Sequence, residues 1–279
     1  MKRAPLSEKR IVSELTTQIF GQRLYHYDSI GSTNIEAKRF AACDAPEGTL
    51  VIADEQTAGK GRRGRHWVAP PNTCLLFSLI FRPSLLAAQA ARLTMVCSLA
   101  AAEVIEAETG VSVAVKWPND LVVRAPPGTP HLIRKLGGIL TETALIGDRL
   151  AYGIVGLGIN VNVDPAALGP VMTPATSLLA ELGRPVDRAK LLAAILLGIE
   201  TRYPGVNDEQ MQIRWSERLI TLGQRVVVSP GAAHPNDLPA PLVGVAEGVN
   251  PEGGLLLRDL AGNLHLINVG DVTLRPQSD

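Results

Sequence analysis

The segment Gly59-Lys60-Gly61-Arg62-Arg63-Gly64-Arg65 puts four cations and three glycines into seven residues. Glycine lets the main chain approach a ligand with its N–H groups turned toward it, and Lys and Arg supply countercharge. The composition therefore suits a loop that closes over phosphate or carboxylate groups. It is not a Walker A loop, since the G-x-x-x-x-G-K-[ST] spacing is not met. Taken alone, the heptapeptide fits a solvated basic turn or a nonspecific nucleic-acid contact equally well. Two further lysines stand beside turn or glycine residues, in Lys116-Trp117-Pro118-Asn119-Asp120 and in Lys135-Leu136-Gly137-Gly138-Ile139. Each has a plain explanation by itself: an exposed lysine, a Pro-Asn-Asp turn, a glycine pair for close strand packing. Gathered with the loop, they make a cationic cluster able to hold two anionic substrates against each other.

Such a cluster needs elements to carry it. Ile11, Val12, Leu15, Ile19 and Phe20 recur at helical spacing after Ser7 and predict a helix closed by Gly21. Strands are expected over 23–27 and 49–54, with a helix between them that a Thr33-x-x-Glu36 capping box starts and that ends near Cys43. A strongly apolar strand over 74–81, an Ala/Leu helix over about 85–109 closed by Gly110, and a strand over 111–117 follow. The last of these delivers Lys116 to a strand end, where sites are commonly built. The Pro/Gly-rich stretch 124–134 ahead of Lys135 predicts a mobile loop. Gly147-Asp148 then joins two strands, 136–145 and 149–161, as an antiparallel hairpin. Helical patterns run over 177–182, 187–203 and 208–220, the second capped by Asp187. From Gly223 short alternating strands separated by turns predict a small β-barrel. The expected fold class is α+β: a mixed β-sheet covered by helices over residues 1–220, then the barrel over 221–279.

The chain has 279 residues, 46% hydrophobic and 19% charged, which excludes disorder as a description of the whole. Its 27 Lys+Arg balance 27 Asp+Glu, so a broad duplex-binding surface is not expected and any basic function must be local. Cys43, Cys74 and Cys97 form neither a C-x-x-C pair nor a metal-ligand pattern, so no structural zinc is expected. The first residues have no apolar run of the kind a secretory signal needs, and the uncharged apolar stretches at 93–102 and 191–199 fall short of the roughly 20 residues that span a bilayer. These features predict a soluble cytoplasmic protein.

Five segments taken together, Gly31-Ser-Thr-Asn34, Gln56-Thr-Ala-Gly-Lys-Gly-Arg-Arg-Gly-Arg-His-Trp67, Lys116-Trp-Pro-Asn-Asp120, Lys135-Leu-Gly-Gly-Ile139 and Gly156-Leu-Gly-Ile-Asn160, resemble in order and spacing the motifs of biotin protein ligases. The resemblance covers about residues 22–275. It implies a catalytic domain like that of class II aminoacyl-tRNA synthetases, with an SH3-like C-terminal barrel. It also implies a two-step reaction, in which biotin and ATP form biotinyl-AMP and the acyl group then passes to a lysine of a biotin carboxyl carrier protein domain. By the resemblance Arg62, Lys135 and Lys116 are the catalytic cations. Ser32, Thr33, Asn34, Gln56, Gly59, Lys60, Arg62, Lys135, Gly138 and Gly156 contact biotin. Arg62, Arg65, Trp67, Lys116, Asn119, Asp120, Asn160 and Trp215 contact ATP, whose Mg2+ comes with it. A helix N-cap is the competing role for Ser32 and Thr33, sheet packing for Gly138 and Gly156, and core packing for Trp67. Lys60 stands where the bacterial pattern usually has Arg, keeping the charge but losing the bidentate fork. The loop at 59–65 is expected to be disordered until it orders over the adenylate.

Two other functions compete: a lipoate-type acyl ligase, and an RNA-binding module using the basic loop. Some family members carry an N-terminal winged helix that represses transcription. With about 22 residues before the first catalytic strand, no DNA binding is expected here. Neither is a membrane, and the protein is expected to act as a monomer or homodimer.

Overall fold

Strands β1 (Leu24–Tyr27), β2 (Leu50–Ala53), β3 (Leu75–Phe81), β4 (Val113–Lys116), β5 (Asp120–Arg124), β6 (Ile133–Ile146) and β7 (Arg149–Ile159) form one sheet in the order β1-β2-β3-β7-β6-β5-β4. The structure, a computed structural model, describes residues 5–124, 133–168, 173–230 and 240–274. β1 and β2 run parallel and all other neighbours are antiparallel, so the sheet is mixed. Most of the loop expected at 124–134 lies outside the described residues.

Strand alternation divides the burial. Leu75, Phe77, Leu79 and Phe81 of β3 enter one core with α3 (Ala91–Thr109), α5 (Arg188–Arg202) and α6 (Glu209–Glu217). On the other face Val51, Ile80 and Ile154 pack against Ala37 and Ala41 of α2 (Thr33–Ala42). Ala87–Thr109 is long and apolar enough to cross a membrane by composition. Here residues 93–102 are buried without a break against the sheet and neighbouring helices, as expected of a core helix apolar all round.

Three local expectations change, each because a tertiary partner takes the backbone groups involved. The opening helix α1 (Glu8–Glu14) stops at Glu14 rather than near Gly21. The Glu200 carboxylate accepts the N–H groups of Gln18, Ile19 and Phe20 at 2.7–3.0 Å, which a continued helix would bond internally. The Thr33/Glu36 capping box does not form. Ser32 is the cap position, the Thr33 N–H goes to Gln56 Oε1 at 2.7 Å, and Glu36 accepts from the Tyr27 hydroxyl instead. The long helix α3 begins at Ala91, because residues 85–90 form a tighter turn in which Ala87 N–H bonds to Asp148 O.

After the short helix α4 (Leu178–Leu182), capped by the Ser177 hydroxyl, and after α5 and α6, the chain forms a second sheet. Its strands β8 (Arg225–Pro230), β9 (Leu242–Val249), β10 (Leu255–Asp259), β11 (Leu264–Ile267) and β12 (Gly270–Leu274) are antiparallel in the order β11-β10-β9-β8-β12. This sheet does not stand apart from the first. Val226, Val228, Ala246, Leu255, Leu257 and Val272 belong to the same buried cluster as the large core, and the Trp117 indole N–H donates to Gly253 O at 2.8 Å.

Candidate active site

Pairing across the large sheet builds the floor of the site. Lys116 opposes Asp120, Asp120 opposes Gly138, and Gly138 opposes Gly158. In the next row Ser78 opposes Gly156, which opposes Leu140. The glycines leave room that other residues use: a Cβ at Gly156 would lie 1.9 Å from Asn34 Oδ1, and one at Gly158 would lie 2.6 Å from the Trp67 ring. Above this floor is a cavity of about 570 Å3.

Lys135 reaches the cavity by a register shift. Leu121 opposes Gly137 but Val122 opposes Lys135, so Leu136 is an extra residue in β6. A bulge reverses the alternation of faces, which turns Lys135 to the same side as Gly138 while Leu136 is fully buried in the core. Lys135 Nζ then lies 2.6 Å from Asp120 Oδ1 and 5.5 Å from the centre of the Trp67 ring. Its main chain is held by residues 174–176, whose neighbours Thr173–Ala175 wall the cavity.

The basic segment folds back on itself. Trp67 N–H bonds to Gly59 O, Lys60 bridges His66, and Gly61 N–H bonds to Arg65 O, so residues 59–67 form a small hairpin. A Cβ at Gly59 would sit 2.5 Å from Trp67 O. Gly59 therefore serves the hairpin and does not itself line the cavity, whereas exposed Lys60 stands at its rim. Arg62 points inward, with Nη1 3.2 Å from Asn119 Oδ1, and Asn119 Nδ2 donates to Ile139 O at 2.6 Å. Asn119 is thus placed to orient Arg62. Burial pushes the Arg62 guanidinium below its usual range, opposed by Asp271 and Asp120. Burial likewise pushes the Lys116 ammonium down, with Asp120 opposing the shift and Lys135 adding to it.

The opposite end of the cavity is neutral. Thr33 N–H and hydroxyl both reach Gln56 Oε1, and Ser78 Oγ lies 2.8 Å from Thr33 Oγ1 and 2.6 Å from Asn34 Oδ1. Asn34 Nδ2 donates to Leu140 O and Glu142 Oε2, so its amide is engaged within the protein. The Ser32 side chain lines the cavity and makes no capping bond. Gln56 has its amide nitrogen left to offer once Oε1 is committed. The Trp67 indole N–H is buried without a partner, so this tryptophan is a cavity wall rather than core filling.

Ser32, Thr33, Asn34, Gln56, Lys60, Arg62, Arg65, Trp67, Lys116, Asn119, Asp120, Lys135, Gly138, Gly156 and Asn160 all line this one cavity. Asn160 does so with its amide donated to Thr176 O. Trp215 is not among them. It is buried, its indole N–H on Ser98 Oγ at 2.9 Å, and it lines an adjoining cavity of about 230 Å3 that shares Arg62, Pro118 and Asn119 with the first. Sequence reasoning missed two residues. Ser78 carried a signal, as the one polar residue in the apolar strand Leu75–Phe81. Asp271 carried none: it stands in the small sheet and reaches the basic hairpin only through docking. Among the described residues the one grouping fit for a metal, His26, Asp28 and Asp54, lies outside the cavity, and Asp54 is already paired with Arg188. The acidic groups inside it, Asp120 and Asp271, are each engaged by cations.

The pattern of the Biotin/lipoate A/B protein ligase family matches residues 28–160. The chain is 34% identical over 265 residues to the bifunctional ligase/repressor BirA of Bacillus subtilis, covering 94% of this chain and 77% of that one. It is 32% identical over 284 residues to the biotin–[acetyl-CoA-carboxylase] ligase of Mycobacterium tuberculosis, covering 97% and 96%. The biotin protein ligase of Aquifex aeolicus, solved in complex with biotin and ATP, superposes with a TM-score of 0.69 at 27% identity over 92% of this chain and 100% of that one. With its motifs converging on a single cavity and likeness running almost end to end, the chain belongs to the biotin protein ligase family.

Proposed function

We propose that this protein joins biotin to ATP in the cavity and passes the activated acyl group to a lysine of a biotin carboxyl carrier protein domain. In the first step a biotin carboxylate oxygen bonds to the α-phosphorus of ATP, the bond from that phosphorus to the β-phosphate bridge oxygen breaks, and pyrophosphate leaves. In the second, the carrier amine attacks the acyl carbon, and AMP departs with its bridging oxygen. The observation that carries the reading is the cavity's polarity: neutral hydrogen-bonding groups at one end, and Lys116, Lys135 and Arg62 converging at the other.

A carboxylate and a phosphate about 4 Å apart repel by about 4 kcal/mol at an effective dielectric near 20. Fixed cations remove that cost, and each donor aimed at charge developing in the transition state is worth about 3–4 kcal/mol. Arg62 and Lys135 flank the junction between the two ends, with Lys116 on the nucleotide side. Arg62 is oriented by Asn119, and Lys135 is held by Asp120 until an anion replaces that partner. Ser32 and the amide nitrogen of Gln56 face the ureido ring of biotin, and the Trp67 indole N–H is a further donor. Asn34 and Gly156 shape that end rather than bind there, because the Asn34 amide fills the space above Gly156.

ATP–pyrophosphate exchange that requires biotin, followed by transfer of labelled biotin to a carrier domain, tests the reading. Exchange supported by lipoate and not biotin, or none with either, would overturn it. We place the enzyme in the cytoplasm beside its carrier, in keeping with three free cysteines. We further propose that this chain binds no operator: α1 packs on α5, and a chain with no net charge lacks the cationic surplus duplex binding needs. A salt-resistant, sequence-specific promoter shift would refute that.

A further inference from the structure

The basic hairpin poses an electrostatic problem of its own, because Arg62, Arg63 and Arg65 repel one another when folded into a tight turn. One carboxylate answers all three. Asp271 Oδ1 lies 2.8 Å from Arg65 and 3.8 Å from Arg62, and Asp271 Oδ2 lies 3.2 Å from Arg63. The contacts are unequal in kind. Arg65 and Arg63 bond Asp271 directly, while the nearer partner of Arg62 is Asn119 inside the cavity.

Arg63 adds a second observation. Its backbone is left-handed, φ 55° and ψ 41°, where glycine would sit without cost. The guanidinium that this conformation carries reaches both Asp271 and the main-chain oxygen of Ser229, at 3.4 Å. Asp271 and Ser229 are paired residues of β12 and β8, so the small sheet presents a single two-acceptor socket at its edge. A long cation at a glycine-like position is explained by what it holds.

Building on the ligase reading above, we propose that Asp271 is a positioning residue: it anchors Arg63 and Arg65 to the small sheet and leaves Arg62, bonded to Asn119, to meet the reacting phosphate. The small sheet then acts in the chemistry through one side chain that touches no substrate. Arg65, which the family resemblance places on ATP, works here as an anchor. Clamping the hairpin also keeps water from the mixed anhydride, since Lys60–Arg62 and Arg65–Trp67 wall the cavity.

Trypsin reads the anchor without any substrate, because it cuts after the very arginines that Asp271 holds. In the full chain without nucleotide, Asp271→Asn is expected to be cut after Arg65 at least about tenfold faster than the parent protein, through local opening of the hairpin. Arg63→Gln, which removes the same contact from the exposed side, should open the same site. The double variant should be cut less fast than the product of the two single effects, since both break the Arg63–Asp271 contact and only the Ser229 oxygen is lost besides. Leu257→Ala controls for loss of stability in the small sheet and should leave the hairpin protected. Cleavage of Asp271→Asn within twofold of the parent, or single effects that multiply, would overturn the proposal. In biotin-dependent exchange, Asp271→Asn should lower kcat with biotin KM unchanged and release more free biotinyl-AMP per carrier modified; a rise in biotin KM alone would count against it. If the parent protein shows no biotin-dependent exchange, the functional reading fails while the cleavage result still decides the anchor.

Discussion

At the Ser78 end of the cavity the polar side chains are bonded to one another and to the main chain, whereas at the Lys116 end the charged groups are held by two carboxylates. Ser78, Thr33, Asn34 and Gln56 form a connected network on buried elements. Lys135 and the hairpin arginines are held by Asp120 and Asp271 on half-buried ones. The difference follows from what each end has to recognise. A neutral ring is read by fixed geometry, which rigid hydrogen bonding provides. Charged phosphates are read by countercharge, which must be kept soluble and gathered before they arrive.

Removing a working cation should produce the largest effect. Arg62→Ala or Lys135→Ala should lower biotin-dependent exchange by about 100- to 1,000-fold with little change in melting temperature. A loss below tenfold would break the contrast between the two ends. Next comes the neutral end's rigidity. Gly156→Ala forces a methyl group onto the Asn34 amide and should cost about 1–3 kcal/mol in denaturant unfolding, because that amide is held by Ser78, Leu140 and Glu142. Ser78→Ala removes the hydroxyl that bridges Thr33 Oγ1 and Asn34 Oδ1. At a penalty of about 1–1.5 kcal/mol it should raise biotin KM by about tenfold while kcat stays within twofold. An equal fall in kcat would mean that the neutral end takes part in the chemical step.

The smallest effect concerns pH. Burial lowers the Lys116 pKa, so its ammonium is lost at a lower pH than that of an ordinary lysine. The alkaline limb of exchange should therefore begin below the usual lysine range and move upward in Lys116→Arg. The unfolded chain holds that proton more tightly, so this residue's cost to stability is full below the folded-state pKa. It is relieved as pH rises from there to the unfolded value. An unmoved limb in Lys116→Arg would assign it to another group.

Much of this was legible in the residues themselves. The β6–β7 hairpin followed from Gly147-Asp148, the end of α3 from Gly110, and the helix α5 from Asp187, because each signal acts over a few residues. The helix expected to run to Gly21 failed where Glu200 takes three N–H groups from a point far along the chain. The capping box failed for the same reason, at Gln56. Among the site residues, Lys116 and Lys135 were legible as cations at strand ends. Trp215 was less legible, since an indole reads alike whether it lines the main cavity or bonds Ser98 beside the adjoining one.

By itself the sequence determined the chemical kit: the cations, the glycines that keep a floor open, and the alternation that gives the strands two faces. Tertiary structure alone decided how the kit is aimed. The extra residue Leu136 turns Lys135 to the cavity, and the docking of the small sheet sets Asp271 under three arginines. Composition and spacing act along the chain, whereas strand register and sheet docking are set by packing between residues far apart in it, and a shift of one residue exchanges one face for the other.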